Sequence, residues 1–406
     1  MKKKTLLTSM LIIALVISLI IIFSYVIRFN RTLHVPKDYA TIQLAINNAA
    51  EGDTVKVAAG IYYEHIIVNK PLSLIGEGWE TTVIDGNGTG TVIKISANKI
   101  HITGFTVRNG GLNYGDCGVH ISYANQSVFK NNRITNCYDG LILSDTMFSE
   151  VSDNIISHNM YIGLLLVRSN NNVINGNTAS FNGWSGIELQ ISESNLLTNN
   201  IAKNNTYGIR LLNDKAPLGR NNTFTSNQML ANKYNFGFHR ATKNYLEAFL
   251  QNIDTSNTVD GKPIYYLVNQ SNQIIDSTTA IGYLALVNSK NITAKNMSFS
   301  NNCNGILLAY TDNSLLENLT IANNEEGIKL IQCRGNKIYH NNFVNNTQQV
   351  FTLDSANMWD DNSRGNYWSD YKQKYPDATE IDGVWNTPYE IDKENIDWYP
   401  LTKPYG

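Results

Sequence analysis

The chain has 406 residues, 42% of them hydrophobic and only 16% charged, and 56 are asparagine, a usage unlike that of a mixed α/β enzyme. Five of its 32 Lys and Arg precede Thr32, which leaves 27 against all 34 Asp and Glu. The body is therefore acidic and has no basic stripe, and nucleic acid is excluded as an expected partner.

Residues 1–31 read as an N-terminal transmembrane signal anchor. Lys2, Lys3 and Lys4 precede an uncharged apolar run from Leu6 to Ile27, long enough at about 1.5 Å per residue to cross a bilayer core. The run ends in Ile22-Phe23-Ser24-Tyr25-Val26-Ile27-Arg28 without a small-x-small site, so an uncleaved anchor is expected. The three lysines outweigh Arg28 and Arg31 and should hold the body outside. The expected localisation is the cell membrane, single-pass through residues 6–27, with the bulk of the chain extracytoplasmic.

Residues 32–110 read as a cap followed by the first coils. Ile42, Ala45, Ile46 and Ala49 share one helical face. A short amphipathic helix there would cover the open end of a stack, whose first coil exposes an apolar cross-section. Strands are expected at residues 54–57 and 66–68.

Residues 111–350 keep a clock of 22 or 23 residues. It is marked by Gly118, Gly140, Gly163, Gly186 and Gly208, then by Gly282, Gly305 and Gly327. Four residues before six of these glycines stand Asn136, Asn159, Asn182, Asn204, Asn301 and Asn323. Nine before stand Asn131, Asn154, Asn177, Asn199, Asn296 and Asn318. Short apolar runs alternate with polar residues, which is strand periodicity without a helical return. The expected fold is all-β, a right-handed parallel β-helix. About a dozen coils would make one elongated rod roughly 55–60 Å long. Asparagine suits the turns because it tolerates the left-handed conformation. Stacked about 4.8 Å apart, its amides can form ladders.

The clock slips over residues 214–281. Asp260-Gly261 lies between two β-prone runs and Pro263 follows, so a hairpin at a sheet edge is expected, as a protrusion or an irregular double coil. Residues 351–406 read as a tail that closes the coil. Cys117, Cys137, Cys303 and Cys333 lack zinc-ligand spacing; free buried thiols and a Cys117–Cys137 approach both remain open.

A family resemblance rests on these segments. Gly52-Asp53-Thr54-Val55 with Gly60-Ile61-Tyr62 resembles the start of β-helix proteins of the pectin-lyase type. The coils resemble the NosD-like group, also described as carbohydrate-binding and sugar-hydrolysis repeats. The stretches Gly365-Asn366-Tyr367-Trp368-Ser369-Asp370-Tyr371, Pro388-Tyr389-Glu390-Ile391-Asp392 and Asn395-Ile396-Asp397-Trp398-Tyr399-Pro400-Leu401 resemble the tail of its archaeal surface members. The resemblance covers nearly everything after the anchor and is specific for fold. For function it implies several possibilities: carbohydrate binding, a polysaccharide lyase or hydrolase, or a copper-site assembly factor. Copper wants clustered His, Cys or Met, whereas His34, His65, His101, His120, His158, His239 and His340 are scattered, so no metal is expected there. Calcium is conceivable in the tail around Asp382, Asp392 and Asp397. Yet Asp382-Gly383-Val384-Trp385-Asn386 stands where relatives carry Asp-Gly-Ile-Gly-Asp.

The candidate ligand-binding residues lie close to the repeat glycines. Two after each glycine come His120, Ile142, Leu165, Glu188, Arg210, Leu284, Leu307 and Lys329, all expected to point outward. Glu188 and Arg210, in neighbouring coils at one offset, should form an ion pair. Two before come Asp116, Tyr138, Tyr161 and Trp184. Three aromatics in consecutive coils would span about 10 Å, two sugar rings, as a stacking platform or as a packed ladder. Asp139 and Glu188 are two coils apart, roughly 14 Å on strand geometry. That exceeds the separation of about 5–9.5 Å that glycoside hydrolysis needs. The leading expectation is a surface protein that recognises polysaccharide or surface glycan without turnover, through Tyr138, Tyr161, Trp184, Asp139, His120, Glu188 and Arg210. The alternatives are a structural or adhesive rod and a carbohydrate-active enzyme.

Overall fold

The computed structural model describes residues 15–17, 30–212, 219–239, 245–278 and 280–406. The anchor expected at residues 6–27 lies almost wholly outside the described residues, as does most of the insert at Lys215–Arg220. No helix among the described residues is long and apolar enough to cross a membrane.

From Thr32 onward the chain winds as a parallel β-solenoid, three short strands to a coil. One sheet has ten strands, from Thr32–Val35 to Asn252–Ile253. A second has eight, from Ile66–Val68 to Tyr234–His239. A third has fourteen, from Gly60–Tyr63 to Gln348–Leu353. Coils stack in register, so like residues meet: Ile134 pairs with Ile156, and Ile156 with Ala179. These inward side chains are buried and form a continuous core. The expected cap is the helix Ile42–Asn48, where the Thr41 side chain accepts the Leu44 N–H and Ile42, Ala45 and Ile46 are buried.

Asparagine plays two distinct parts. Asn131, Asn136, Asn199, Asn204, Asn296, Asn301, Asn318 and Asn323 sit in the left-handed region and make the bends. Asn154, Asn159, Asn177 and Asn182 are buried in ladders. The sequence offsets merged these roles because the longer coils insert one residue, Met160 or Gly183, between the bend and the glycine. In a ladder each Oδ1 receives two donors from the preceding coil. Asn154 donates to Asn177 Oδ1 through Nδ2 at 2.9 Å and through its backbone N–H at 3.1 Å. The pattern repeats from Asn177 to Asn200 and from Asn200 to Asn227. A second ladder runs through Asn172, Asn195 and Asn222, and a third through Asn159, Asn182 and Asn205. Buried amides are tolerated because the network satisfies them.

The single straight rod is not what forms. At Asp260-Gly261 the chain turns, and Thr258–Val259 pairs antiparallel with Lys262–Pro263. The strand Lys262–Val268 then opens a second stack. The expected hairpin is therefore a joint between two stacks that share the fourteen-stranded sheet. In the second stack Leu284, Leu286, Ile306, Leu308, Ile328 and Leu330 form an inner core. The alternate residues Ala285, Leu307, Ala309 and Ile331 join the core cluster of the first stack. Leu284 pairs with Ile306 and faces inward, contrary to expectation, because Gly282 lies one residue out of register. Leu307 and Lys329 are fully buried beneath the first stack, with Lys329 Nζ 3.0 Å from Glu326.

The tail closes the second stack with Trp359, Trp368, Tyr371 and Tyr389, all buried. Trp368 stacks between Phe343 and Tyr389 at 4.3 and 4.2 Å. Asp397 ends an amide ladder that runs from Asn341 to Asn366: its Oδ2 accepts the Asn366 and Trp368 N–H groups. Asp392 is held by Asn395. Asp382, Asp392 and Asp397 do not converge as a calcium site, and among the described residues no three His, Cys, Asp or Glu side chains could hold a metal ion.

Candidate functional site

The Glu188–Arg210 pair forms as expected, but in the interior. Strand register sets the two residues opposite each other. Arg210 Nη2 and Nε lie 2.5 and 3.0 Å from Glu188 Oε2, and the side chains are 4% and 1% exposed. Ser185 also donates to Oε2 and Gln190 to Oε1, so both carboxylate oxygens are committed. The second stack covers this end of the face. Cys303 meets Gly237, in register with Arg210, and Glu325 accepts the Tyr207 hydroxyl at 2.9 Å.

The aromatic row is a ladder. Tyr138 and Tyr161 stack at 5.5 Å, and Tyr161 and Trp184 at 5.6 Å. Tyr114 closes one end edge-on, and Tyr207 with the Arg210 guanidinium closes the other. All three rings are half-buried. Their faces are turned to one another, so the row offers ring edges outward instead of a flat platform.

Asp139 is buried and accepts the Ile162 N–H. Burial pushes its carboxyl up to about 6, and the Glu188 charge adds to the rise. His120 Nε2 lies 2.8 Å from Ser144 Oγ; burial, with Lys94 adding, holds this imidazole below its usual range. The four cysteines are free and buried. Burial raises Cys117 and Cys333 to about 12 and Cys137 to about 11, which leaves inert thiols.

One groove on this surface was not anticipated. A groove of about 910 Å³ follows the corner next to the aromatic ladder. Its floor holds the Arg108–Asp85 ion pair, with Nε 2.7 Å from Oδ2, and Asn109 donates to the same oxygen. Burial would raise the Asp85 carboxyl, but Arg108, the Asn87 backbone N–H and the Asn109 side-chain amide together hold it below its usual range. Along one side His158 and Phe181 stack at 5.2 Å. Both occupy left-handed bends, with φ of 58° and 56°, where asparagine is the easier residue. Phe181 is 51% exposed, and Tyr63, Leu112 and Met160 are likewise exposed along the rim. The signal was present in the sequence as the bend row Asn109, Asn136, His158, Phe181. Its mixed residue types set it apart from the rows of asparagine.

The groove thus has a polar floor and apolar rims. A family model described as "Periplasmic copper-binding protein (NosD)" matches residues 46–265 and 252–373. No curated protein matches the chain. Among solved structures, the catalytic domain of a GH87 α-1,3-glucanase in complex with nigerose is similar at 16% identity and TM-score 0.51, over 81% of this chain and 68% of that one. The A-module of the mannuronan C-5 epimerase AlgE4 from Azotobacter vinelandii is similar at 15% identity and TM-score 0.41, over 83% and 90%. An alginate lyase from Paenibacillus sp. is similar at 16% identity and TM-score 0.40, over 57% and 99%. The likeness to the glucanase domain is one of fold.

Proposed function

The chain belongs to the NosD family, and from that premise we propose that it is a right-handed, extracytoplasmic β-helix protein that holds polysaccharide or surface glycan in the Asp85–Phe181 groove, tethered to the membrane through residues 6–27. The observation that carries the proposal is the exposed Phe181, stacked on His158 at the rim of a 910 Å³ groove with amides and an ion pair on its floor. Sugars present apolar faces and hydroxyl edges, and this surface offers apolar side chains beside hydrogen-bonding groups. The family's description as periplasmic agrees with the orientation expected from Lys2, Lys3 and Lys4.

Both carboxylate oxygens of Glu188 are committed, which supports binding without turnover at that acid. Copper, which the family description names, does not fit the residues described. No cluster of three His, Cys, Asp or Glu ligands occurs among them, and the thiols are buried with raised pKa values. The test is a glycan array probed with purified full-length protein and with Phe181→Asn, which keeps a residue suited to the bend and removes the ring. Glycans retained by the parent and lost by the variant support the proposal. A folded parent that retains none contradicts it.

A further inference from the structure

A second cleft lies where the two stacks meet. Hydrogen bonds between the stacks border it, among them Asn235 N–H to Asn301 O at 2.6 Å, Cys303 N–H to Phe236 O at 2.9 Å, and Tyr234 Oη with Thr347 Oγ1 at 3.0 Å. They leave open a cleft of about 500 Å³ beside them, lined on one side by Lys233 and Tyr234 and on the other by Asn301, Asn323 and Asn345. Junctions between packed units are where ligand sites concentrate, and this volume is ligand-sized.

The three asparagines differ from their counterparts elsewhere in the second stack. Ser300 pairs with Ala322 and Ala322 with Val344, so the residues that follow, Asn301, Asn323 and Asn345, stand in one row about 4.8 Å apart. All three are in left-handed bends. Other bend asparagines of this stack pair with their neighbours across coils. Asn318 donates to Asn296, Asn288 to Asn269 and Asn291 to Asn272. Among the described residues the side-chain amides of Asn301, Asn323 and Asn345 make no such bond, and all three residues line the cleft. Opposite them Lys233 Nζ lies 4.9 Å from the Tyr234 ring centroid. It is the one charged side chain among the described lining residues.

We propose that this cleft is a second saccharide site, separate from the groove, and that it takes a short acidic sugar, two pyranose units with one carboxylate. A carboxamide donates and accepts side by side, which suits vicinal hydroxyls. Three amides at one-coil spacing cover about 10 Å, close to the length of a disaccharide. The Lys233 ammonium supplies the counter-charge for the carboxylate, with no acid among the described lining residues to compete.

The experiment is calorimetric titration of the full-length protein with a uronic-acid-containing disaccharide and with its neutral counterpart. In Asn323→Gly/Asn345→Gly the amides are lost while glycine accepts the bends at φ 57° and 53°, so the fold should hold. The acidic disaccharide should bind more tightly than the neutral one, and the double variant should lose at least tenfold. Lys233→Met should erase the preference, and Phe181→Asn should leave this binding unchanged. Equal affinity in the glycine double variant, or no binding of either sugar at millimolar concentration, overturns the site. Persistence of the acidic preference in Lys233→Met overturns the assigned ligand class. Loss of this binding in Phe181→Asn, with the glycine variant unaffected, would place the sugar in the groove instead.

Discussion

Glu188 and Arg210 face each other across adjacent coils, 2.5 Å apart and out of reach of water. A buried pair of this kind is weak evidence of net stability, because both ions lost their hydration to form it. Breaking it is another matter. Glu188→Gln leaves a buried guanidinium without a counter-charge and should cost about 3–5 kcal/mol. Glu188→Leu with Arg210→Met should recover most of that loss. Urea-unfolding midpoints of the three proteins decide the point, and a single variant as stable as the double one would show that the pair is dispensable.

The two parts played by asparagine predict opposite responses. Asn177 is buried, accepts from Asn154 and donates to Asn200 and to the Val151 carbonyl. Asn177→Ala strands several of those groups and should cost at least about 2 kcal/mol. Asn204 is an exposed bend residue with φ of 55°. Asn204→Gly should stay within about 0.5 kcal/mol of the parent. Thermal unfolding of both variants is the check; similar losses would mean that the ladder carries no special weight.

Asp139 supplies a pH signature. Its pKa is raised to about 6 in the folded chain, against about 3.9 for an unperturbed aspartate. Between those values the folded state binds the extra proton, so stability falls as pH rises. The contribution is complete below about pH 4 and gone above about pH 6, with a limiting slope of about 1.4 kcal/mol per pH unit. Asp139→Asn removes this component. Subtracting the variant's stability from the parent's at pH 4, 5, 6 and 7 should give a falling curve, and a flat or rising one would refute the assignment.

The solenoid was legible because coil stacking repeats one physical requirement every 22 or 23 residues, and glycine and asparagine answer it in the same places. The Glu188–Arg210 pair followed from the same register, and the cap helix from the helical spacing of Ile42, Ala45, Ile46 and Ala49. Two features escaped. The turn at Asp260-Gly261 gives a strong local hairpin signal, but nothing local says that Lys262–Val268 will open a second stack folded against the first. That placement depends on Ala285, Leu307 and Ile331 joining the other core, and they look like ordinary strand residues. The groove escaped because Asp85, Arg108, His158 and Phe181 share a corner only after winding. The aromatic row was read correctly as a row; its outward use as a platform depended on ring orientation, which spacing does not encode.

The most direct test of the account is the affinity of full-length protein for its best glycan on an array, measured in parallel for Phe181→Asn and Trp184→Ala. The groove reading predicts at least a tenfold loss for Phe181→Asn at unchanged melting temperature. For Trp184→Ala it predicts lowered stability, with affinity kept in the molecules that remain folded. Unaltered affinity in Phe181→Asn, or a loss confined to Trp184→Ala with its fold intact, would contradict the groove and return the site to the aromatic ladder.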